Sequence, residues 1–184
     1  NGSNNPYYGY PYDQGQWGSN PSVAAAYMAA GKGPVLEADA PLPAAEMLAH
    51  ETLTPPPAEL PVAHDLRAAY KYEDQDYASE TAYRSALKSA VQTYGALASN
   101  MYIDSSWQGS PYYDAGSYGW RYQGGTGTNH GVTVVGWDDS RAVTVGGTTT
   151  YGAWLIKNSW GTDFADDGYF WVSYDDTAAV NRAT

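Results

Sequence analysis

Residues 128–174 read TNHGVTVVGW DDSRAVTVGG TTTYGAWLIK NSWGTDFADD GYFWVSY, and the fold turns on how this stretch is read. Four β-branched or aromatic runs stand out: Gly131 to Trp137, Ala142 to Val145, Gly152 to Lys157 and Gly168 to Tyr174. Asp138-Asp139, Gly146-Gly147 and Asp166-Asp167-Gly168 separate them, residue types that reverse a chain at low cost. Such runs between turn formers predict an antiparallel meander or barrel.

Working back from there, residues 104–127 are rich in Gly, Ser, Tyr and Trp without a period, which predicts a long ordered loop. Before it, Ala82, Tyr83, Ala86, Leu87, Ala90, Val91 and Tyr94 recur at helical spacing, with Ser79 or Glu80 at the start and Gly95 at the end. A strand over Ala96 to Tyr102 should leave this helix. Residues 62–72 read as extended. From Gly33 to Pro61 seven prolines exclude a long helix or central strand, leaving a surface excursion with room for one helical turn around Ala44 to Ala49. A first helix is expected over Val23, Ala24, Tyr27 and Met28, with Ser19 or Asn20 as cap, Pro21 at its first position and Gly31 ending it. Residues 1–19 form a Tyr-, Gly- and Asn-rich arm with no period. The organisation expected is an arm over 1–19 and one domain over 20–184, helices first and strands last, an α+β class.

Composition narrows the function. The 184 residues carry 9 Lys plus Arg against 20 Asp plus Glu, a net charge of −11, which argues against nucleic-acid or anionic-membrane partners. No apolar run is long enough for a membrane-spanning helix. Apolar residues make up 43%, enough to bury a core. The chain has no cysteine, so it offers neither disulfides nor a thiol nucleophile. It opens on Asn1 without a leader-like segment, and its Asn, Gly, Ser and Tyr usage suggests a secreted or extracellular bacterial protein.

Three histidines can titrate near neutrality. His50 and His64 sit in or beside the proline-rich excursion and read as loop residues. A zinc site with Glu46 or Glu51 lacks tight two-ligand spacing, so neither metal nor cofactor is expected. His130 opens one strand run and Asn158 closes another. In an antiparallel sheet the two could meet, the Asn158 carbonyl oxygen accepting from one imidazole N–H and leaving the other nitrogen for a nucleophile. Taken alone, a His and an Asn in strands are more often structural.

The full strings around them resemble the papain-like cysteine peptidases: Asn129-His130-Gly131-Val132 through Val135-Gly136-Trp137, Trp154 through Lys157-Asn158-Ser159-Trp160-Gly161, and the closing Gly168-Tyr169-Phe170-Trp171-Val172-Ser173-Tyr174. The resemblance implies a papain-like fold, with His130 as general acid and base, Asn158 as its orienter and Trp160 as the indole shielding their bond. The Trp-Gly-Glu usual before the closing strand appears as Phe164-Ala165-Asp166. The long spacer from His130 to Asn158 looks like the bacterial secreted branch.

The family's nucleophile is missing. Gln14-Gly15-Gln16-Trp17-Gly18-Ser19-Asn20 echoes the string that bears it, with Gln14 in the oxyanion-hole role and Asn20 at a cysteine position. A competing alignment places Trp17 to Pro41 after that string, so that the cysteine segment would precede Asn1 and the apolar stripes of both helices would be left uncovered. A separate N-terminal fragment or neighbouring copies would then cover them. Since an asparagine amide cannot replace a thiolate, the expectation is a homologue inactive as it stands, a non-catalytic extracellular assembly or binding subunit. The alternative is the His/Asn-bearing C-terminal portion of an active secreted peptidase acting on peptides. A third reading takes Trp107, Tyr112, Tyr113, Tyr118, Trp120 and Tyr122 as a carbohydrate platform, against the plainer one that they pin their loop.

Overall fold

The computed structural model describes residues 24–26, 28–32, 34–36, 38 and 39, 61–64, 66–104 and 106–180. The arm over 1–19, Gln14, the caps at Ser19 to Pro21, the helical turn around 44–49 and His50 lie outside these residues. Backbone contacts group the chain into two units, Asn1–Tyr70 and Lys71–Thr184. In the first, residues 24–26 are helical and Met28–Lys32 form a wider π turn, so the helical path runs one residue past Gly31. Ala63 N donates to Pro34 O at 2.7 Å, tying the two ends of the proline-rich stretch together.

The second unit begins with a 3₁₀ turn, Asp74–Asp76, and then α1, Glu80–Tyr94. Ser79, in extended conformation, accepts from Ala82 N at 3.2 Å and supplies one of the orphan donors of the first turn with a partner. Gly95 ends the helix at φ 92°, its N–H returning to Val91 O, a conformation that costs a side chain energy and glycine nothing. Tyr83, Leu87, Ala90 and Val91 are buried, while Ser85, Ser89 and Thr93 face out and donate to carbonyls four residues back. Of the apolar stripe, these four are covered, whereas Ala82 and Tyr94 stay exposed.

Six strands follow: β1 Leu97–Met101, β2 Tyr113–Asp114, β3 Gly119–Trp120, β4 His130–Val145, β5 Thr148–Lys157 and β6 Tyr169–Ser173. They form one sheet in the order β1-β4-β5-β6-β3-β2. Pairing is antiparallel except for β3 on β6, which is parallel, and the sheet is not closed into a barrel. The architecture is the α+β class expected, with the meander β4-β5-β6 at its centre.

The turn expected at Asp138-Asp139 does not reverse the chain. One strand of 16 residues runs through it, with register irregularities between Val134 and Gly136 and between Asp138 and Ala142. Asp138 Oδ1 accepts from both the backbone and the hydroxyl of Ser140, so the local polar turn is absorbed as a bulge that bends the strand. The reversal comes at Gly146-Gly147, both with positive φ, as a two-residue hairpin loop needs.

Met101, Trp120, Val134, Trp154, Ile156, Phe170 and Val172 are the fully enclosed centre, packed with the α1 stripe. Trp107, Tyr112, Tyr113 and Tyr122 pack against this core and Trp120 is completely buried, so the aromatic loop is pinned by its rings; Tyr118 alone of the six is exposed. The tail is stitched down as well. Asp176 accepts from Tyr122 N, Ala178 N and Ala179 N at 2.7–2.9 Å, and Thr177 N donates to Tyr122 O.

Candidate functional site

His130 is the first residue of β4, paired with Met101 at the end of β1, and Asn158 is the first residue beyond β5. Since β4 and β5 are antiparallel neighbours, with Thr133 opposite Lys157, the beginning of one strand lies beside the end of the other. His130 Nε2 and Asn158 Oδ1 are 2.9 Å apart. Asn158 Oδ1 also accepts from the backbone N–H of Ser159 at 2.8 Å. That N–H can only donate, so the amide oxygen faces the ring and Nε2 must carry the proton. In the neutral ring the lone pair therefore lies on the other nitrogen, Nδ1, which makes no hydrogen bond among the described residues.

Asn158 is buried, 7% exposed, and its Nδ2 has no hydrogen-bond partner among the described residues. Its backbone is held from the other side: Asn158 N donates to Gly168 O, and Gly168 N to Phe164 O, closing residues 158–168 into a compact loop. Gly168 at φ 90° has a would-be Cβ 3.0 Å from Gly161 O, so the closure depends on glycine there. Trp160 lies on this loop with its ring centroid 4.9 Å from that of His130. It remains 41% exposed on its outer side, covering the imidazole from one face.

Behind Trp160 the aromatics continue inward. Phe164 is 4.9 Å from Trp160, Trp107 4.1 Å from Phe164, and Phe170 5.5 Å from Phe164. Phe164, in place of the usual tryptophan, thus anchors the loop to the core, edge-on to Trp160 and Phe170 and tilted against Trp107. Ala165 and Asp167 hold positive φ values of 47° and 51°, the strain of turning the chain back toward β6.

The structure brings together three of the residues singled out in the sequence, His130, Asn158 and Trp160. Gln14 lies outside the described residues. His64 is exposed, and among the described residues no cluster of three His, Cys, Asp or Glu could hold a metal ion. Asn129 is a further contributor beside them. Asn129 Oδ1 accepts from Ile103 N at 2.8 Å while its Nδ2 donates to Ile103 O at 2.8 Å. Its partner is 26 residues away, so no local signal revealed this.

With this geometry in place, the chain matches the family described as papain family cysteine protease over residues 10–184. It is a papain-family chain. Among curated proteins it is 36% identical over 86 residues to a cathepsin L-like peptidase of Aedes aegypti, covering 46% of this chain and 22% of that protein. It is 40% identical over 84 residues to cathepsin S of Mus musculus, again 46% and 22%. The chain thus spans under a quarter of these relatives' length. Among solved structures it is similar to the cysteine protease and lectin-like domains of Cwp84, a surface layer associated protein of Clostridium difficile. That likeness has a TM-score of 0.68 and 25% identity, over 90% of this chain and 34% of that one. Bromelain from Ananas comosus in complex with the E64 inhibitor shares the fold at TM-score 0.57 and 20% identity, over 88% and 63%. The papain-like fold is therefore established, and the papain-family chain described here contains no cysteine.

Proposed function

We propose that this papain-family chain is the histidine and asparagine half of a cysteine peptidase site, completed by a thiol from outside these 184 residues. The observation that carries the reading is the 2.9 Å bond from His130 Nε2 to Asn158 Oδ1, oriented by Ser159 N so that Nδ1 keeps its lone pair. A thiol placed at Nδ1 would lose its proton there, giving a thiolate beside an imidazolium. The thiolate attacks the peptide carbonyl, and Nδ1–H then passes its proton to the leaving amine. Water, activated by the same nitrogen, cleaves the thioester. Asn158 keeps the ring in one tautomer and Trp160 limits water at their bond. The substrate class is peptides.

The absence of cysteine favours a second reading: a non-catalytic subunit retained for assembly or binding, with neighbouring copies or a separate fragment as its partner. An extracellular location is part of both readings, supported by the likeness to a surface layer associated protein. No described helix is long and apolar enough to cross a membrane.

The deciding experiment is labelling of the native assembly with E64, the inhibitor bound to bromelain, alongside peptide hydrolysis. Labelling that depends on His130 supports the peptidase. An assembly that neither labels nor hydrolyses peptides, with an intact papain-like fold, leaves the binding subunit.

A further inference from the structure

We propose that Asp176 and Thr177 are positioning residues for His130, forming a latch by which the segment after β6 fixes the course of the glycine-rich crossover that delivers the chain to that histidine. β3 is parallel to β6, and β6, β5 and β4 alternate in direction, so β3 and β4 run the same way with β6 and β5 between them. From the end of β3 at Trp120 the chain must therefore return to the opposite end of the sheet before β4 can begin at His130. Such a return ordinarily takes a helix. Here residues 121–129 make it in irregular backbone, with Gln123 to Gly127 exposed and Gly124, Gly125 and Gly127 among them. Backbone so rich in glycine has the most conformational freedom to lose, so its course has to be set by partners outside it.

The segment after β6 supplies those partners. Asp176 Oδ2 accepts from Tyr122 N at 2.7 Å, while its Oδ1 accepts from Ala178 N at 2.9 Å and Ala179 N at 2.7 Å. Thr177 N donates to Tyr122 O at 2.9 Å, and its hydroxyl donates to Gly125 O at 2.6 Å. Gln123 Nε2 donates to Asp175 O. The latch stands on a firm base, because Ala178, Ala179 and Val180 are buried. Tyr122 carries its effect to the site. The Tyr122 ring stacks on that of Tyr102, with centroids 4.1 Å apart, and Tyr102 follows Met101, the ladder partner of His130. Tyr122 is thus held by its backbone to the latch and by its ring to the strand beside the histidine. The chemistry of Asp176 fits the same purpose. Burial opposes its ionised form, and an amide oxygen would cap Ala178 N and Ala179 N without that cost. Only a carboxylate offers a second acceptor, the one that reaches across to the crossover.

The catalytic meaning of the latch rests on the reading of His130 and Asn158 as half of a peptidase site, but its test needs no thiol. NMR spectra of the 184-residue chain at one fixed pH report both ends of the path: amide exchange at Tyr122, and the nitrogen and proton signals of the His130 ring. Asp176→Asn keeps the shape and an oxygen for Ala178 N and Ala179 N but turns an N–H₂ toward Tyr122 N. Exchange at Tyr122 N–H is expected to quicken by about tenfold, the effect of one lost bond, and the His130 ring signals to shift or broaden. Thr177→Val, which loses the bond to Gly125 O, should also disturb the ring signals, and Thr177→Ser should restore them. Should Asp176→Asn not fold, the two Thr177 variants decide on the ring signals alone. Ring signals unchanged while Tyr122 exchange rises, or unchanged in Thr177→Val, overturn the positioning role. Unchanged exchange at Tyr122 in folded Asp176→Asn overturns the latch itself, as does a rise in exchange spread over the whole second unit. Failure of the native assembly to hydrolyse peptides would overturn the peptidase reading and leave these spectra as they are.

Discussion

His130 and Asn158 differ in what their removal should do. In a thiol-complete assembly, His130→Ala removes the proton carrier and is expected to lower kcat by about 10²–10⁴-fold, the usual worth of a positioned acid and base. Asn158→Ala leaves that carrier and frees the ring, so a smaller fall in kcat with little change in KM is expected; steady-state kinetics on both variants checks the ranking. The reach of the sequence at this scale was uneven. His130, Asn158 and Trp160 were legible because the strings around them resemble those of the papain-like peptidases. Asn129 was visible as a letter in one of those strings, but its action depends on Ile103, a residue with no marking of its own. Gly119 was equally silent: a Cβ there would stand 2.9 Å from Val143 Cγ1 and 2.7 Å from Ser117 Oγ. Gly119→Ala should therefore cost about 1–3 kcal/mol by overpacking, read from the denaturant midpoint.

At the level of elements, α1 is where local pattern and tertiary structure agree most fully. The cap at Ser79, the stripe and the stop at Gly95 all lie within the helix and its flanks, so sequence alone could place them. Two measurements separate the cap from the stripe. Ser79→Ala should destabilise the second unit by about 1 kcal/mol, and Leu87→Ala, 5% exposed in the core, by about 2–5 kcal/mol; chemical denaturation tests both. The strands were harder. Asp138-Asp139 carries the chemistry of a turn, yet a bulge can use the same side-chain bonds without reversing the chain, and only the partner strand decides between them. The two-residue strands β2 and β3 are too short to carry a period, and the parallel pairing of β3 with β6 links residues about fifty apart in sequence.

On the scale of the whole second unit, two carboxylates respond oppositely to acid. The Asp139 carboxyl is held below its ordinary range by hydrogen bonds from Lys88 and Tyr174, so its contribution is present above the ordinary carboxylate range and is lost as pH falls through its lowered value. Burial pushes Asp176 up, despite three backbone N–H donors, so its ionised form weighs against the fold and stability declines as pH rises through its raised value. Asp139→Asn should accordingly lower stability near neutrality, and the melting temperature with it, by less than about 1 kcal/mol because the carboxylate is largely exposed and screened, and the two chains should converge as pH falls through the lowered value. Thermal melts across that range test the sign.

The division between sequence and structure follows from the range of the forces involved. Residue order alone determined the α+β class, the helix over Glu80–Tyr94 and the hairpin at Gly146-Gly147, because spacing, caps and turn chemistry act over a few positions. Tertiary structure decided that the β4–β5 pairing brings His130 and Asn158 to 2.9 Å, that Ser159 sets the tautomer, and that Asn129 holds the strand to Ile103. A hydrogen bond depends on tenths of an ångström, and a separation of 26 or 28 residues along the chain carries that information only after the sheet has set the register.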